Sequence, residues 1–226
     1  EEMRFFEMAN VYIPKALPLT EQPIEKKMLC LGSCGAAEDF FTMKGSLEAF
    51  AGANDLTFTY KRGNVPYLHP GRTADVYCQG EKIGHFGQLR YEVVDQMNIA
   101  GGKKADTKIF IAEIDYQLLA NLFKKGIKYI PESGFAANGR DISLLIGKEV
   151  ECGTIVDAIT ACDELIKKVT LFDLFESEKL GADKKSMAFN IKLASNEKDV
   201  TDAMTDEVIA KVLNALETQF GAQMRA

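Results

Sequence analysis

From Ser186 to Ala194 the chain reads Ser-Met-Ala-Phe-Asn-Ile-Lys-Leu-Ala, with Met187, Phe189, Ile191 and Leu193 on every second position. A period of two suits an extended chain whose successive side chains leave opposite faces, and it does not suit a helix. Such a strand must lay its apolar face on a core, so the flanking chain has to supply a covering layer. Two stretches can. Gly153-Thr154 opens a predicted helix with Ile155, Ala158, Ile159 and Cys162 at helical spacing. Further on, Thr205 is a candidate cap, and Asp206 and Glu207 suit the first turn of a helix. The stripe of that helix is Val208, Ile209, Val212, Leu213, Leu216 and Phe220, and Gly221 ends it.

Three more strands complete the pattern. Asp141 to Ile146 alternates, with Ile142, Leu144 and Ile146 on one face. Val169 to Glu176 reads as a strand with Thr170, Phe172 and Leu174 on one side, and Ala222 to Arg225 can form a last short one. The order is β-α-β-β-α-β, a ferredoxin-like split unit whose two helices cover one face of the sheet. Alternation predicts Phe172, Leu174, Met187, Phe189, Ile191, Ile142 and Leu144 beneath the helices. It leaves Ser143, Leu145, Leu171, Asp173, Phe175, Ser186, Ala188, Asn190 and Lys192 on the other face. An aromatic ring, a carboxylate, hydroxyls, an amide and a lysine on one open sheet can bind single-stranded nucleic acid, the ring stacking on a base and the polar groups reading its edge. The same face could equally pack on another domain or stand in solvent.

The first half is less regular. Met3 to Met8, Thr57 to Tyr60, Thr73 to Gln79 and Lys108 to Ile114 read as strands, Ala37 to Phe50 and Asp115 to Phe123 as helices. Strands and helices without steady βα alternation predict an α+β layer. Turn signals between Lys124 and Arg140 place a domain boundary near Ile130, giving 1–130 and 131–226. The chain opens inside a predicted strand without an initiator methionine, and it reads as a piece of something longer.

Charge and cysteines narrow the class. The net charge is −6, all of it after residue 130, where 11 Lys and Arg face 17 Asp and Glu; the first 130 residues carry 16 of each. Neither half is a basic nucleic-acid footprint, so any such contact must be local. Five cysteines argue against a disulfide framework and for a reducing, cytoplasmic compartment. Cys30 and Cys34 lack a second Cys/His pair at zinc spacing, and no metal site is expected. No apolar run reaches the roughly 18 residues of a membrane span.

Other motifs carry little chemistry. Gly84-His85-Phe86-Gly87 resembles part of a phosphate loop but lacks its third glycine and its Lys-Ser/Thr, and a tight turn between strands is the expectation. His69-Pro70-Gly71-Arg72 places a His and an Arg beside a turn without a nucleophile and an orienting acid. Arg4-Phe5-Phe6-Glu7 could form an ion pair along one strand, though a charged strand edge is the commoner reading.

An ordered set of segments resembles bacterial phenylalanyl-tRNA synthetase β chains. Glu38 to Glu48, around Asp39-Phe40-Phe41-Thr42-Met43-Lys44-Gly45, resembles the family's "DFFDLKG". Tyr67 to Ala74 is similar to "LHPGRSA", Ile83 to Leu89 to "IGxxGELHP", and Ile111 to Asp115 to "AFELDL". Arg140-Asp141-Ile142-Ser143, Leu171 to Phe175, Lys185-Ser186 and the terminal Met224-Arg225 are similar to the ferredoxin-fold anticodon-binding module. The resemblance implies that 1–130 is the tail of a class II synthetase-like pseudo-catalytic domain that packs on a catalytic α chain, in a heterotetramer of two α and two β chains. It implies that 131–226 binds the anticodon of tRNA(Phe), that phenylalanine, ATP and Mg2+ bind the α chain, and that this stretch holds no cofactor. The β chain's editing domain would lie upstream. The family's aromatic, aspartate and serine of the anticodon pocket fall on Phe175, Asp173 and Ser186, with Ser143, Asn190 and Lys192 on the same predicted face. Phe175 replaces the usual tyrosine, Leu89-Arg90-Tyr91 lacks the family's His-Pro, and 130–140 departs from the usual linker. Two other classes compete: a small-molecule-sensing ferredoxin-like regulatory module, and a free-standing enzyme using His69 and Arg72.

Overall fold

The computed structural model describes residues 2–99, 108–123 and 134–225. The chain divides into two compact units, Glu1–Lys128 and Tyr129–Ala226. The expected boundary near Ile130 lies outside the described residues.

The first unit is built on a six-stranded antiparallel sheet of β1 (Met3–Ile13), β2 (Ile24–Cys34), β3 (Phe58–Arg62), β4 (Leu68–Cys78), β5 (Glu81–Leu89) and β6 (Ile109–Asp115), in the order β1-β2-β6-β5-β4-β3. Helices α1 (Phe40–Ala53), α2 (Tyr91–Gln96) and α3 (Tyr116–Leu122) join them. Met43, Leu47 and Ala51 of α1 and Leu119 of α3 share one core with Leu29, Val76, Phe86, Ala112 and Ile114 of the sheet. Helix α1 begins at Asp39 in a capping box: the Asp39 carboxylate accepts from the Thr42 N–H at 2.7 Å, and the Thr42 hydroxyl accepts from the Asp39 N–H at 2.8 Å. Strand β1 is an edge, exposed along its whole length.

Gly84-His85-Phe86-Gly87 is not a turn. It lies inside β5, and the turn comes earlier, at Gln79-Gly80. The glycines are there for close approach: a Cβ on Gly84 would meet the Glu113 carbonyl oxygen at 2.1 Å, and one on Gly87 the Arg72 carbonyl oxygen at 2.4 Å. Arg4 pairs with Glu38, at 2.6 Å, rather than with Glu7, because Arg4 and Glu7 leave opposite faces of the strand.

The second unit contains β7 (Asn138–Gly147), α4 (Cys152–Ala161), β8 (Ile166–Phe175), β9 (Lys184–Leu193), α5 (Asp202–Phe220) and β10 (Gln223–Met224). Its sheet runs β10-β7-β9-β8, every described pair antiparallel. This is the ferredoxin-like arrangement, and with the first unit it makes the chain α+β. Ile155 and Ile159 of α4 and Val208, Val212 and Leu216 of α5 pack on Ile142, Leu144, Met187, Phe189, Ile191 and Leu193. Thr201, not Thr205, caps α5: its hydroxyl accepts from the Met204 N–H at 3.3 Å. Thr205 lies one turn inside, fully buried, and donates to the Thr201 carbonyl at 3.0 Å. Gly221 ends the helix in the left-handed region at φ 61°.

Strand β8 departs from simple alternation. Leu171 pairs with Phe189 but Asp173 pairs with Ala188, so Phe172 is the extra residue of a bulge. Leu171 therefore joins the core side, Phe172 is 57% exposed, and Thr170 lies on the open face opposite Asn190. The expected placements of Leu171, Phe172 and Thr170 are reversed by that one inserted residue. Downstream, Asp173 and Phe175 leave the open face as expected, opposite Ala188 and Ser186.

The bulge changes which aromatic carries the fold. Phe189→Ala is expected to destabilise the second unit by about 3–5 kcal/mol. Phe172→Ala is expected to shift it by about 0.5 kcal/mol or less, as a surface change does. Urea unfolding of the two variants measures both; equal losses would place Phe172 in the core after all.

Candidate nucleic-acid interface

The helix-free face of the second sheet is ordered in cross-strand rows. Lys168 faces Lys192; Thr170, Asn190 and Asp141 form the next row; Asp173, Ala188 and Ser143 the third; Phe175, Ser186 and Leu145 the last. The Asn190 side-chain amide donates to the Asp141 carboxylate at 2.6 Å. The Ser143 and Ser186 hydroxyl oxygens stand 3.5 Å apart, with Ser186 buried and Ser143 half-buried. Phe175 is 45% exposed, a large apolar surface held at the sheet margin.

Arg225 completes the last rows. Its N–H donates to the Ser143 carbonyl at 2.8 Å, extending the pairing of β10 with β7. Its guanidinium reaches across the sheet to lie 5.6 Å from the centroid of the Phe175 ring. A flat cation over an aromatic ring, with hydroxyls and carboxylates beside it, can hold a planar heterocycle by stacking and by hydrogen bonds to its edge.

All six expected residues, Ser143, Asp173, Phe175, Ser186, Asn190 and Lys192, lie on this one face. Lys192 is three rows from Phe175, at the far end. Arg225 and Asp141, though in segments similar to the anticodon-binding module, were not among the expected site residues, and neither were Thr170 and Lys168. Arg225 is a chain-terminal residue whose reach depends on β10 pairing with β7. Thr170 and Lys168 change face through irregularities in β8 that no residue type announces.

The first unit carries a polar cluster of another kind. The Tyr67 hydroxyl donates to the Glu113 carboxylate and stands 2.7 Å from His85 Nε2, which is 3.1 Å from Glu113 Oε2. The His85 hydrogen bond, helped by Tyr67, holds the Glu113 carboxyl below the usual range against the opposing effect of burial. Burial and the Glu113 carboxylate push the Tyr67 phenol well up. Burial, with Glu113 and Glu7 nearby, pushes the Cys30 thiol up, the opposite of what a nucleophile needs. His69 and Arg72 are not brought together as a catalytic pair: His69 Nδ1 accepts from the Gly71 N–H at 3.1 Å, and Arg72 donates to Gln88 at 2.6 Å. Among the described residues, no cluster of three metal-ligating side chains and no helix long and apolar enough to cross a membrane occurs.

Comparison with known proteins places both units. The family model for the phenylalanyl tRNA synthetase beta chain CLM domain matches residues 1–116. The model for the ferredoxin-fold anticodon binding domain matches residues 133–225. Together they define a chain of an aminoacyl-tRNA synthetase. The phenylalanine–tRNA ligase beta subunit of Carboxydothermus hydrogenoformans is 32% identical over 239 residues, covering 100% of this chain and 29% of that protein. That of Halalkalibacterium halodurans is 31% identical over 239 residues, with 100% and 29% covered, and that of Clostridium tetani 34% over 232 residues, with 98% and 27% covered. The chain belongs to the phenylalanine–tRNA ligase beta-subunit family, and it spans 27–29% of the length of these relatives. These matches favour the ligase reading and give no support to a regulatory module.

The Glu113 network is expected to make the first unit acid-sensitive. The Glu113 carboxyl is depressed in the folded state, so its contribution is present above the unfolded value of about 4.3 and is lost as pH falls through the folded value. Glu113→Gln is expected to flatten the loss of stability below about pH 4.3. Thermal midpoints of both proteins across pH 3 to pH 7 give the comparison; parallel curves would show that Glu113 does not contribute.

Proposed function

We propose that the second unit binds the anticodon loop of tRNA(Phe) on its helix-free face. The first unit then serves as a non-catalytic scaffold for a catalytic α chain, in a cytoplasmic assembly of two α and two β chains. The observation that carries the reading is the convergence of Phe175, Asp173, Ser143, Ser186 and Arg225 on one sheet face. A base stacks on Phe175, where Arg225 now lies; the serine hydroxyls and the Asp173 carboxylate meet the edge groups of that base. A carboxylate accepts from base N–H groups and discriminates against edges that offer only acceptors. Phe175 stacks as a tyrosine would and lacks the hydroxyl.

The scaffold role is supported by β1. Phe6, Met8 and Tyr12, on one face of this edge strand, are 73%, 45% and 62% exposed, and large exposed apolar side chains grouped in this way mark a contact with another segment or chain. The chemistry of amino-acid activation, with ATP, Mg2+ and phenylalanine, falls to the α chain.

Two measurements test the proposal. Titration with the anticodon stem-loop of tRNA(Phe) is expected to show binding that Phe175→Ala weakens by about 1–3 kcal/mol, the range for a stacked base, while Phe175→Tyr preserves it. No binding, or binding indifferent to Phe175→Ala, would refute the anticodon reading. Separately, the pure chain is expected to give no phenylalanine-dependent ATP–pyrophosphate exchange and to bind purified α chain. Exchange without α chain would refute the scaffold assignment.

A further inference from the structure

We propose that Lys168 and Lys192 form a phosphate-binding end to the open face, so that the RNA strand runs along β9 from Phe175 to this lysine pair. The inference rests on the anticodon-loop reading and extends it to the path of the backbone.

The two lysines are direct cross-strand partners, and both are exposed. Like charges placed opposite one another on a sheet repel and weaken the pair. Three other cations of this unit are neutralised: Lys148 meets Glu176 at 3.3 Å, Lys211 meets Asp163 and Glu207 at 3.3 Å, and Arg140 meets Asp206 at 2.6 Å. Lys179, Lys184 and Lys198 have no ion-pair partner among the described residues, and what sets Lys168 and Lys192 apart from them is that they stand opposite each other on the open face. Lys185 is spent on the carbonyls of Lys148 and Val150, and Lys167 on that of Glu164. Among the described residues Lys168 and Lys192 have no ion-pair partner, in a half of the chain whose acids outnumber its bases 17 to 11. An unneutralised pair of ammonium groups in an acidic module points to an anion that arrives from outside.

The rows between the two ends say which anion. From Ser186, beside Phe175, to Lys192 is six residues along β9, about 20 Å at the rise of an extended strand. That is the length of a few single-stranded nucleotides. Asp173 and Asp141 occupy the middle rows. Carboxylates repel phosphates and accept hydrogen bonds from base edges, so bases lie over the middle of the face and the backbone is gripped at its end. Arg225 supplies positive charge at the Phe175 end and the lysine pair at the other. A single strand that stacks one base at Phe175 has phosphates to offer at the lysines; a small-molecule anion would have no reason to match that separation.

The experiment uses the full chain and the anticodon stem-loop RNA, with affinity measured by fluorescence anisotropy over a series of salt concentrations. Each phosphate neutralised on a single strand contributes about 0.7 to the slope of log affinity against log salt. The double variant Lys168→Ala/Lys192→Ala is expected to lower that slope by about 1.4, and Lys168→Arg/Lys192→Arg to retain it. Phe175→Ala is expected to weaken binding at every salt concentration with the slope unchanged. If wild-type protein binds and the double alanine variant keeps the full slope, the lysine pair grips no phosphate and the inference falls while the anticodon reading stands. If the double variant keeps its slope and instead loses the α chain, the pair is a protein contact and the inference again falls. If wild-type protein does not bind the stem-loop at all, the anticodon reading falls and takes this inference with it.

Discussion

Strand β9 is the element on which the second unit depends. It lies between β7 and β8, so its side chains from Ser186 to Leu193 have neighbours on both sides. Met187, Phe189, Ile191 and Leu193 go into the core beneath α4 and α5, each almost wholly removed from water. Burying four large apolar groups on a single face, at roughly 1.5–3 kcal/mol apiece, leaves no freedom to slip the register by one. The alternate positions are then committed to the other face, whether or not they would gain anything by being there. Ser186, Asn190 and Lys192 are placed by the packing of their neighbours, and the proposed interface follows from the core.

The first unit obeys the same rule with a different outcome. Its sheet buries Phe86, Ala112 and Ile114 against α1 and α3, which sends His85 and Glu113 to the opposite face. There they meet Tyr67 in a hydrogen-bonded cluster whose members satisfy one another. Close approach of strands, rather than phosphate binding, accounts for the glycines beside His85. Polar residues thus line the face opposite the main core in both units. In the first unit that face also carries an apolar cluster of Leu68, Leu89 and Ile109 with Val94 of α2; in the second, helix-free, an arginine stands over the exposed Phe175 ring with hydroxyls alongside. That difference in side-chain chemistry, and not the sheet itself, separates the proposed interface for bases from a structural polar cluster.

How much of this was legible follows from range. The strict alternation of β9, the stripe of α5 and the stop at Gly221 are local signals, readable because the period of the side chains is the period of the backbone. They suffice for the α+β class, for the ferredoxin-like order and for sorting Ser143, Asp173, Phe175, Ser186, Asn190 and Lys192 onto one face. The bulge at Phe172 has no such signal. Phe172 and Leu171 are both apolar, and either could be the core residue until Phe189 selects one. The cap at Thr201 was equally hidden, because Thr201 and Thr205 both precede acidic residues and only the path of the chain into α5 distinguishes them.

The sequence by itself therefore determined the layering, the two-faced character of each strand and the family to which the segments are similar. All of these rest on residue type at fixed spacing. Tertiary structure decided what required distant segments to meet: Arg225 over Phe175, the Arg4 pairing with Glu38 instead of Glu7, and the opposition of Lys168 to Lys192. Each joins residues more than twenty positions apart, and the strand registers that bring them together are fixed only when whole faces are buried together.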